Sequence, residues 1–292
     1  IDFGGGFVFD ASGTGRCDYY LLKLNPTGST VWAVKGGGTL TNRGFGLTID
    51  QNGNIYTTGH YFGQADFSGT ILNSAGNLDN IVAKYDNSGN LLWIRDGKSV
   101  SQVSSRGIAL DAAGNVFVSG YFGSATVDSV TFDGLKVVTN GQRDIFLAKY
   151  NNAGTIQWGV NAGGPLSAEE GRSVVVDPAG NPIMVGMFND TATFSGTQLF
   201  SEGGNDIFIA KYNTNGNLIW AKSAGGLGGD AAEAVGVDVN GNIYVAGYFD
   251  SVATFGSIQV IGVDRDEIFL AKMNPNGDFL WVVRAGGTLI DR

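Results

Sequence analysis

The chain has one cysteine, Cys17, and one histidine, His60. A lone cysteine excludes a disulfide framework and any cysteine-based metal cluster within one chain. A lone histidine leaves metal sites and catalytic triads without the positioned imidazole and partners they usually need. Charged residues are only 15%, acids outnumber bases 27 to 18, and the net charge is −9. An acidic chain poor in lysine and arginine is ill suited to gripping phosphate backbones or anionic membranes, so nucleic acid is not an expected partner. No apolar run approaches the ~20 residues of a spanning helix, so membrane insertion is not expected either. Helix signals are missing too: no glycine-free stretch of ten residues keeps a 3.6-residue apolar period. The chain starts at Ile1 with no visible signal peptide, which reads as a mature or trimmed piece of something longer.

What the chain has is repetition. Asp206 to Trp220 reads as a β-hairpin: an apolar run from Ile207 to Tyr212, a turn at Asn213-Thr214-Asn215-Gly216, and a return strand from Leu218. It occurs five times. Lys23, Lys84, Lys149, Lys211 and Lys272 each precede by nine residues one of the five tryptophans, Trp32, Trp93, Trp158, Trp220 and Trp281. Five residues before each lysine stands an acid: Asp18, Asp79, Asp144, Asp206 and Glu267. The tryptophans are 61, 65, 62 and 61 residues apart, a period that signals a propeller or an array.

A second hairpin alternates with the first, from Gly44 to Asp50 and from Ile55 to Gly59, and returns around Asp111, Asp177 and Asp238. Its Asp-x-x-Gly-Asn turns suit a type I turn with a glycine bulge. An aromatic cluster follows each time (Tyr61-Phe62, Tyr121-Phe122, Phe188, Tyr248-Phe249), then a short Ala-x-Phe element at Phe67, Val127, Phe194 and Phe255; Ile1-Asp2-Phe3 is the same element. The expected fold is all-β: a β-propeller of four-stranded antiparallel blades, about five repeats of ~62 residues with the first incomplete. The units are 1–43 (a partial outer half-blade), 44–105, 106–170, 171–231 and 232–292, forming a single propeller domain or a segment of one.

The pattern Val-Asp-x-x-Gly-Asn-x-Tyr-Val-x-Gly, followed by Asp-x-Phe-x-Ala-Lys-Tyr-Asn-x-x-Gly-x-x-x-Trp, resembles the SBBP beta-propeller repeat across essentially the whole chain. That resemblance implies a bacterial secreted or cell-surface protein and says little about activity. Two features depart from it. Pro182 stands where other units have Val or Ile and should remove a ladder hydrogen bond. The family name implies seven blades, and this chain has five outer hairpins and four inner ones. The segment from Gly286 to Arg292 matches Gly37 to Arg43, after which the next inner hairpin begins, so one inner hairpin is missing from five whole repeats. The inner edge of Asp18 to Leu24 should therefore be bare and open to strand addition, from sequence outside the chain or by self-association.

Chemistry is sparse. The Asp-x-x-Gly-Asn turns resemble truncated calcium loops, but Asn52, Ala113, Ala179 and Asn240 stand where carboxylates are needed, so no metal is expected. The repeated lysines are expected to pair with the turn aspartates along one rim. His60 reads as a solvated loop residue beside Tyr61, and Cys17 as a small buried or half-buried thiol. Gly97-Lys98-Ser99 is not a phosphate loop, because Leu92 replaces the needed glycine. The Gly225 to Gly229 run recurs as Gly-Gly pairs elsewhere and is no nucleotide fingerprint. The tryptophans are expected to be mostly buried between blades.

Loop length varies on one face only. The long segments 1–17, 60–78, 123–143, 189–205 and 250–265 fall there, together with 36–43, 97–105, 162–170 and 223–231. Variable loops on a rigid scaffold are where binding is usually carried. Candidate ligand-binding residues are Tyr61, Tyr121 and Tyr248, with Arg106, Arg172 and Glu233, one per unit near the axis, and Phe45 as the fourth. Their mixed charge argues against one symmetric ion site. These features point to a non-catalytic extracellular binding or adhesion module for a glycan or protein ligand, with no cofactor. The alternatives are a structural repeat element of a large surface protein or filament and, less favoured, a propeller-fold lyase or glycosidase.

Overall fold

The computed structural model describes residues 1–9, 17–38, 40–124, 126–165, 169–263 and 265–287. Among them are twenty-six strands and no helix. The first unit holds β1 (Tyr19–Leu24) and β2 (Thr30–Gly38). The second holds β3 (Asn42–Ile49), β4 (Ile55–Tyr61), β5 (Gln64–Phe67), β6 (Thr70–Asn73), β7 (Asp79–Tyr85) and β8 (Leu91–Lys98). The third repeats this order as β9 (Val103–Leu110), β10 (Val116–Gly123), β11 (Ser129–Phe132), β12 (Leu135–Val138), β13 (Arg143–Tyr150) and β14 (Ile156–Gly163). The fourth comprises β15 (Glu170–Val176), β16 (Pro182–Phe188), β17 (Thr191–Phe194), β18 (Thr197–Phe200), β19 (Asp206–Tyr212) and β20 (Leu218–Ala224). The fifth comprises β21 (Ala231–Val237), β22 (Ile243–Phe249), β23 (Val252–Phe255), β24 (Ile258–Ile261), β25 (Glu267–Met273) and β26 (Phe279–Ala285).

All strand ladders are antiparallel, in sheets of four to six strands plus the short β23–β24 pair. Every residue of β4, β7, β16 and β19 is buried, as strands covered on both faces require. All five lysine-to-tryptophan segments are hairpins. Each lysine lies directly opposite its tryptophan, and each ladder carries a bulge just after the lysine. Pro182 acts as its chemistry dictates. Ile55, Val116 and Ile243 pair across to the third strand of their units, but the β16–β19 ladder starts one residue later, at Ile183.

Four segments expected to be loops contain a further hairpin: β5–β6, β11–β12, β17–β18 and β23–β24. All four of their turns are two residues long; Ser68-Gly69, Asp133-Gly134 and Ser195-Gly196 have positive φ at both positions, and Gly256-Ser257 at its glycine. That is the twist-matched turn of a tight hairpin. Each inserted hairpin leaves its own unit and extends the outer strand of the unit before. Gly36 pairs with Phe67, Gly97 with Phe132 and Ala162 with Phe194, while β23 reaches β20 through a bridge between Gly225 and Thr254. The four-stranded unit is therefore widened by two strands from its successor. Among the described residues no strand pairs with the inner edge of β1; its sheet runs β1-β2-β5-β6.

Four hydrophobic clusters hold the array, each between consecutive units. The Ile145, Leu147 side of one sheet meets the Phe208, Ala210, Tyr212 side of the next, and Ile207, Ile209 meet Phe269, Ala271, Met273. The tryptophans add a grip. Trp32, Trp93 and Trp158 donate Nε1–H to the turn carbonyls of Asn87, Asn152 and Thr214 in the next outer hairpin, all at 3.1 Å. Trp220 does the same to Pro275 at 3.4 Å. Each indole lies over the glycine of that turn, Gly89, Gly154, Gly216 or Gly277. The lysines join them: Lys149 bonds the Thr214 carbonyl at 3.0 Å, Lys211 that of Pro275 at 3.3 Å, and Lys84 the Asn152 side chain. Among the described residues, only Lys211 also makes the expected pair with its turn aspartate, Asp177, at 2.9 Å. Four tryptophans are partly buried by this packing. Trp281, which grips no following turn, is 37% exposed.

Candidate functional site

The first strands of the four complete units, β3, β9, β15 and β21, pack side by side in order. Each carries a bulge opposite the fourth or fifth residue of its partner strand. The residues pushed out of register are Phe45, Arg106, Arg172 and Glu233. The partner strand explains why. It carries Gly59, Gly120, Gly186 or Gly247, where a Cβ would overlap the carbonyl oxygen of Arg43, Ser104, Glu170 or Ala231. With no side chain to hold the strands apart they close up, the extra residue is squeezed out, and the bulge re-aims it. Each complete unit thus turns one side chain toward the place where the first strands converge.

There Phe45, Arg106, Arg172, Glu233 and Glu170 line one cavity of about 640 Å3. The Arg106 guanidinium sits 4.4 Å from the Phe45 ring centroid and 5.8 Å from that of Tyr121. Arg143 covers Tyr121 at 4.7 Å and pairs with Glu170 at 3.0 Å. Arg172 bridges Glu170, at 3.5 Å, and Glu233. Arg106 differs from these two in having no ion pair among the described residues; its Nε, like that of Arg143, is buried without a hydrogen-bond partner. His60 is buried behind this wall. Its Nδ1 lies 2.9 Å from Ser104 Oγ and its ring 5.2 Å from Phe45. Burial, then the charges of Arg106 and Arg43, pull its pKa down to about 4, so the ring is neutral at physiological pH.

Of the residues singled out from sequence, Phe45, Arg106, Arg172 and Glu233 meet here, with Tyr121 beneath Arg106. Tyr61 does not reach this cavity. It is fully buried and donates to Asp96 at 2.9 Å. Tyr248 is half-buried on β22, opposite Ile268, and is not part of the cavity wall. The difference at Tyr61 comes from the strand's two-residue alternation. Counted from Gly59, Gly120, Gly186 and Gly247, the column next to the glycine is His60, Tyr121, Met187 and Tyr248. The column after it is Tyr61, Phe122, Phe188 and Phe249, all with no exposed surface. His60 therefore lies in a strand and not in a solvated loop, and Tyr61 occupies a core position. Arg143 and Glu170 were missed because the chain order does not place them beside Tyr121. Cys17 is exposed, contrary to the expected buried or half-buried thiol.

The acids that begin each third strand have a shared duty. Asp79, Asp144, Asp206 and Glu267 accept a hydrogen bond from the backbone N–H four residues earlier, on Ala75, Asn140, Glu202 and Val263, and so fasten the end of the preceding segment. Burial raises Asp144 to about 6, and burial with the neighbouring charges of Asp230 and Glu202 raises Asp206 to about 7. Burial likewise lifts Asp230 to about 6. In the Asp-x-x-Gly-Asn turns each carboxylate serves its own loop: Asp50 accepts from the N–H of Asn52 and Asn54 and from the Asn54 side chain, at 2.8–2.9 Å. The same set recurs at Asp111, Asp177 and Asp238.

No protein-family profile matches the chain. A curated relative, the "Uncharacterized WD repeat-containing protein L264" of Acanthamoeba polyphaga mimivirus, is 26% identical over 91% of this chain. The chain spans about a quarter of that relative's length, 24%. A solved structure, a protein of unknown function from Bacteroides caccae, is 11% identical with a TM-score of 0.38, covering 92% of this chain and 94% of its own.

Proposed function

We propose that the chain is an arc of a β-propeller that serves as a non-catalytic extracellular binding or adhesion module, taking a carboxylate-bearing glycan or protein ligand at the Arg106 cavity. The WD-repeat description of the viral relative fits a propeller, since such repeats build propeller blades. The observation that carries the reading is Arg106. It is held between two aromatic rings, unneutralised, at the mouth of a polar cavity in an otherwise acidic chain. Arginine in such a setting offers a planar, charge-assisted fork to a carboxylate while stacking on its neighbours. Arg143 and Arg172, already paired to glutamates, would orient the site without adding net positive charge.

The test is binding of sialylated and neutral glycans and of acidic peptides to the wild type and to Arg106→Gln. The expected result is a carboxylate-dependent ligand whose affinity falls about tenfold or more in the variant, a loss of one charge-assisted contact. A ligand that binds both proteins equally would move the site elsewhere.

A further inference from the structure

We propose that Asp206 and Asp230 hold a calcium ion between them and that this ion clamps the fourth unit to the fifth.

Asp206 begins β19, and Asp230 stands just before β21. Both are buried, at 2% and 0% exposure. Backbone amides occupy most of their carboxylate oxygens. Glu202 donates to Asp206 Oδ2 at 3.2 Å, Asp250 to Asp230 Oδ1 at 2.9 Å and Gly226 to Asp230 Oδ2 at 2.8 Å. The remaining oxygen, Asp206 Oδ1, is buried with no hydrogen-bond partner. It lies against Gly225, as its neighbour carboxylate does. A Cβ on that glycine would come 2.8 Å from Asp206 Oδ1 and 2.8 Å from Asp230 Oδ2. The two oxygens therefore border one small space that a side chain at 225 would fill. Gly225 is fixed beside it by backbone bonds to and from Thr254, at 3.1 and 2.7 Å, and its φ of +150° favours glycine.

A junction without the second acid shows what the bare oxygen lacks. Between the second and third units Asp79 is the counterpart of Asp206. Ser104 pairs with Tyr121 as Ala231 pairs with Tyr248, so Val103 is the counterpart of Asp230. There both oxygens of Asp79 are satisfied, by the amides of Ala75 at 2.6 Å and Ser99 at 3.1 Å. Where the second acid is present, one oxygen is left bare between two carboxylates.

No basic side chain relieves them. Among the described residues Glu202, Asp206, Asp230 and Asp250 make no ion pair. Buried charge without a counter-charge is costly, and buried carboxylates are normally paired or bound to metal. The amide donors favour the ionised form of both acids. A cation that reaches Asp206 Oδ1 and Asp230 Oδ2 removes the repulsion and satisfies the bare oxygen together.

The donor set selects the ion. It is all oxygen, without the histidine or thiolate that zinc prefers. Among the described residues no third acid, histidine or cysteine joins the pair, so backbone carbonyls and water would complete the shell. Calcium accepts such an irregular set, at about 2.3–2.6 Å, whereas magnesium demands a near-ideal octahedron. One acid comes from each unit, so the ion would tie the two together. Without it the pair sheds repulsion by keeping a proton, the state to which the raised values of both acids belong.

Calorimetric titration of EDTA-treated protein with calcium chloride tests this, with melting temperature followed in parallel. The wild type should bind calcium by millimolar concentration, and its melting temperature should rise saturably. Sodium chloride at the same ionic strength should not reproduce the rise. Asp206→Asn and Asp230→Asn should each bind one ion fewer. Each keeps an oxygen acceptor and removes a buried charge, so in EDTA each should melt no lower than the wild type, a result that a purely structural acid would not give. Hydrogen exchange at the Gly226 and Asp250 amides of the wild type should slow when calcium is added, a readout that needs no variant. The proposal is overturned if the wild type binds no calcium at millimolar concentration, if either folded variant binds as many ions as the wild type, or if the two amides exchange alike with and without calcium.

Discussion

Lys149 and Trp158 lie opposite one another across the third outer hairpin, and both donate to the same acceptor, the Thr214 carbonyl, at 3.0 and 3.1 Å. A cation and an indole that are neighbours in one sheet thus converge on a single oxygen of the next. The indole also covers Gly216, so polar and apolar contacts act on the same turn.

Trp158→Ala should accordingly cost about 2–4 kcal/mol, since it removes a large partly buried ring and leaves part of a junction unfilled. Trp281→Ala, at the position with no following turn, should cost less than half as much in dilute monomeric protein. Urea unfolding of the two variants checks the difference. Equal losses would mean that the ring acts within its own hairpin and not between units.

Gly120→Ala should destabilise by about 3 kcal/mol or more, because the added carbon overlaps the Ser104 carbonyl oxygen in the closed-up inner hairpin. Gly236→Ala is the control: nothing lies within 4 Å of the added carbon. Its stability should stay within about 0.5 kcal/mol of wild type. Thermal melts of both proteins give the comparison.

Stability should be greatest at about pH 5 and decline toward pH 8. Asp144, Asp206 and Asp230 hold their protons more tightly folded than unfolded, with values raised from 3.8 to about 6, 7 and 6. Their contribution is complete below the unfolded value and is lost as pH rises through the folded ones. His60, lowered to about 4, acts in reverse: its contribution is present above 6.5 and lost as pH falls. Three acids outweigh one histidine between those limits. Below the carboxylate range the lowered turn aspartates Asp50, Asp177 and Asp238 become protonated and lose their own contributions. Melting temperature across pH 4–8 should show this maximum, and Asp206→Asn should flatten its neutral side. A melting temperature that climbs steadily to pH 8 would contradict the assignment.

Arg106→Gln should raise the pKa of His60 while leaving it below the ordinary 6.5. Burial, the larger cause, remains, and only the repulsion from Arg106 is removed. Proton NMR of the single imidazole, titrated from pH 3 to 8, reads this directly. An unchanged midpoint would place Arg106 too far away to matter.

The period of lysine, tryptophan and turn glycine made the hairpins legible, because each is a local device with both strands within about twenty residues. The Phe45, Arg106, Arg172, Glu233 column was legible for the same reason: repetition marks equivalent positions. Long-range partners were not. Ser68-Gly69 and Asp133-Gly134 are hairpin turns that could have been read, yet nothing in those segments says that β5 and β11 pair with β2 and β8 of the preceding unit. The lysines were assigned to aspartates of their own unit because charge suggests that pairing. The indole's need for a nearby acceptor instead drew them to the neighbouring turn. Tyr61 was misplaced by a single residue, and in a strand one residue is the difference between the two faces.

The grip also has a direction in time. Trp158 is synthesised 56 residues before the Thr214 carbonyl it holds, an interval of roughly three to eleven seconds at ordinary elongation rates of about 5–20 residues per second. Each unit leaves the ribosome with its indole waiting, and its successor covers it on arrival. Shortening the chain from its C-terminal side would therefore strand an uncovered tryptophan, whereas shortening it from the N-terminal side would leave a turn without its indole.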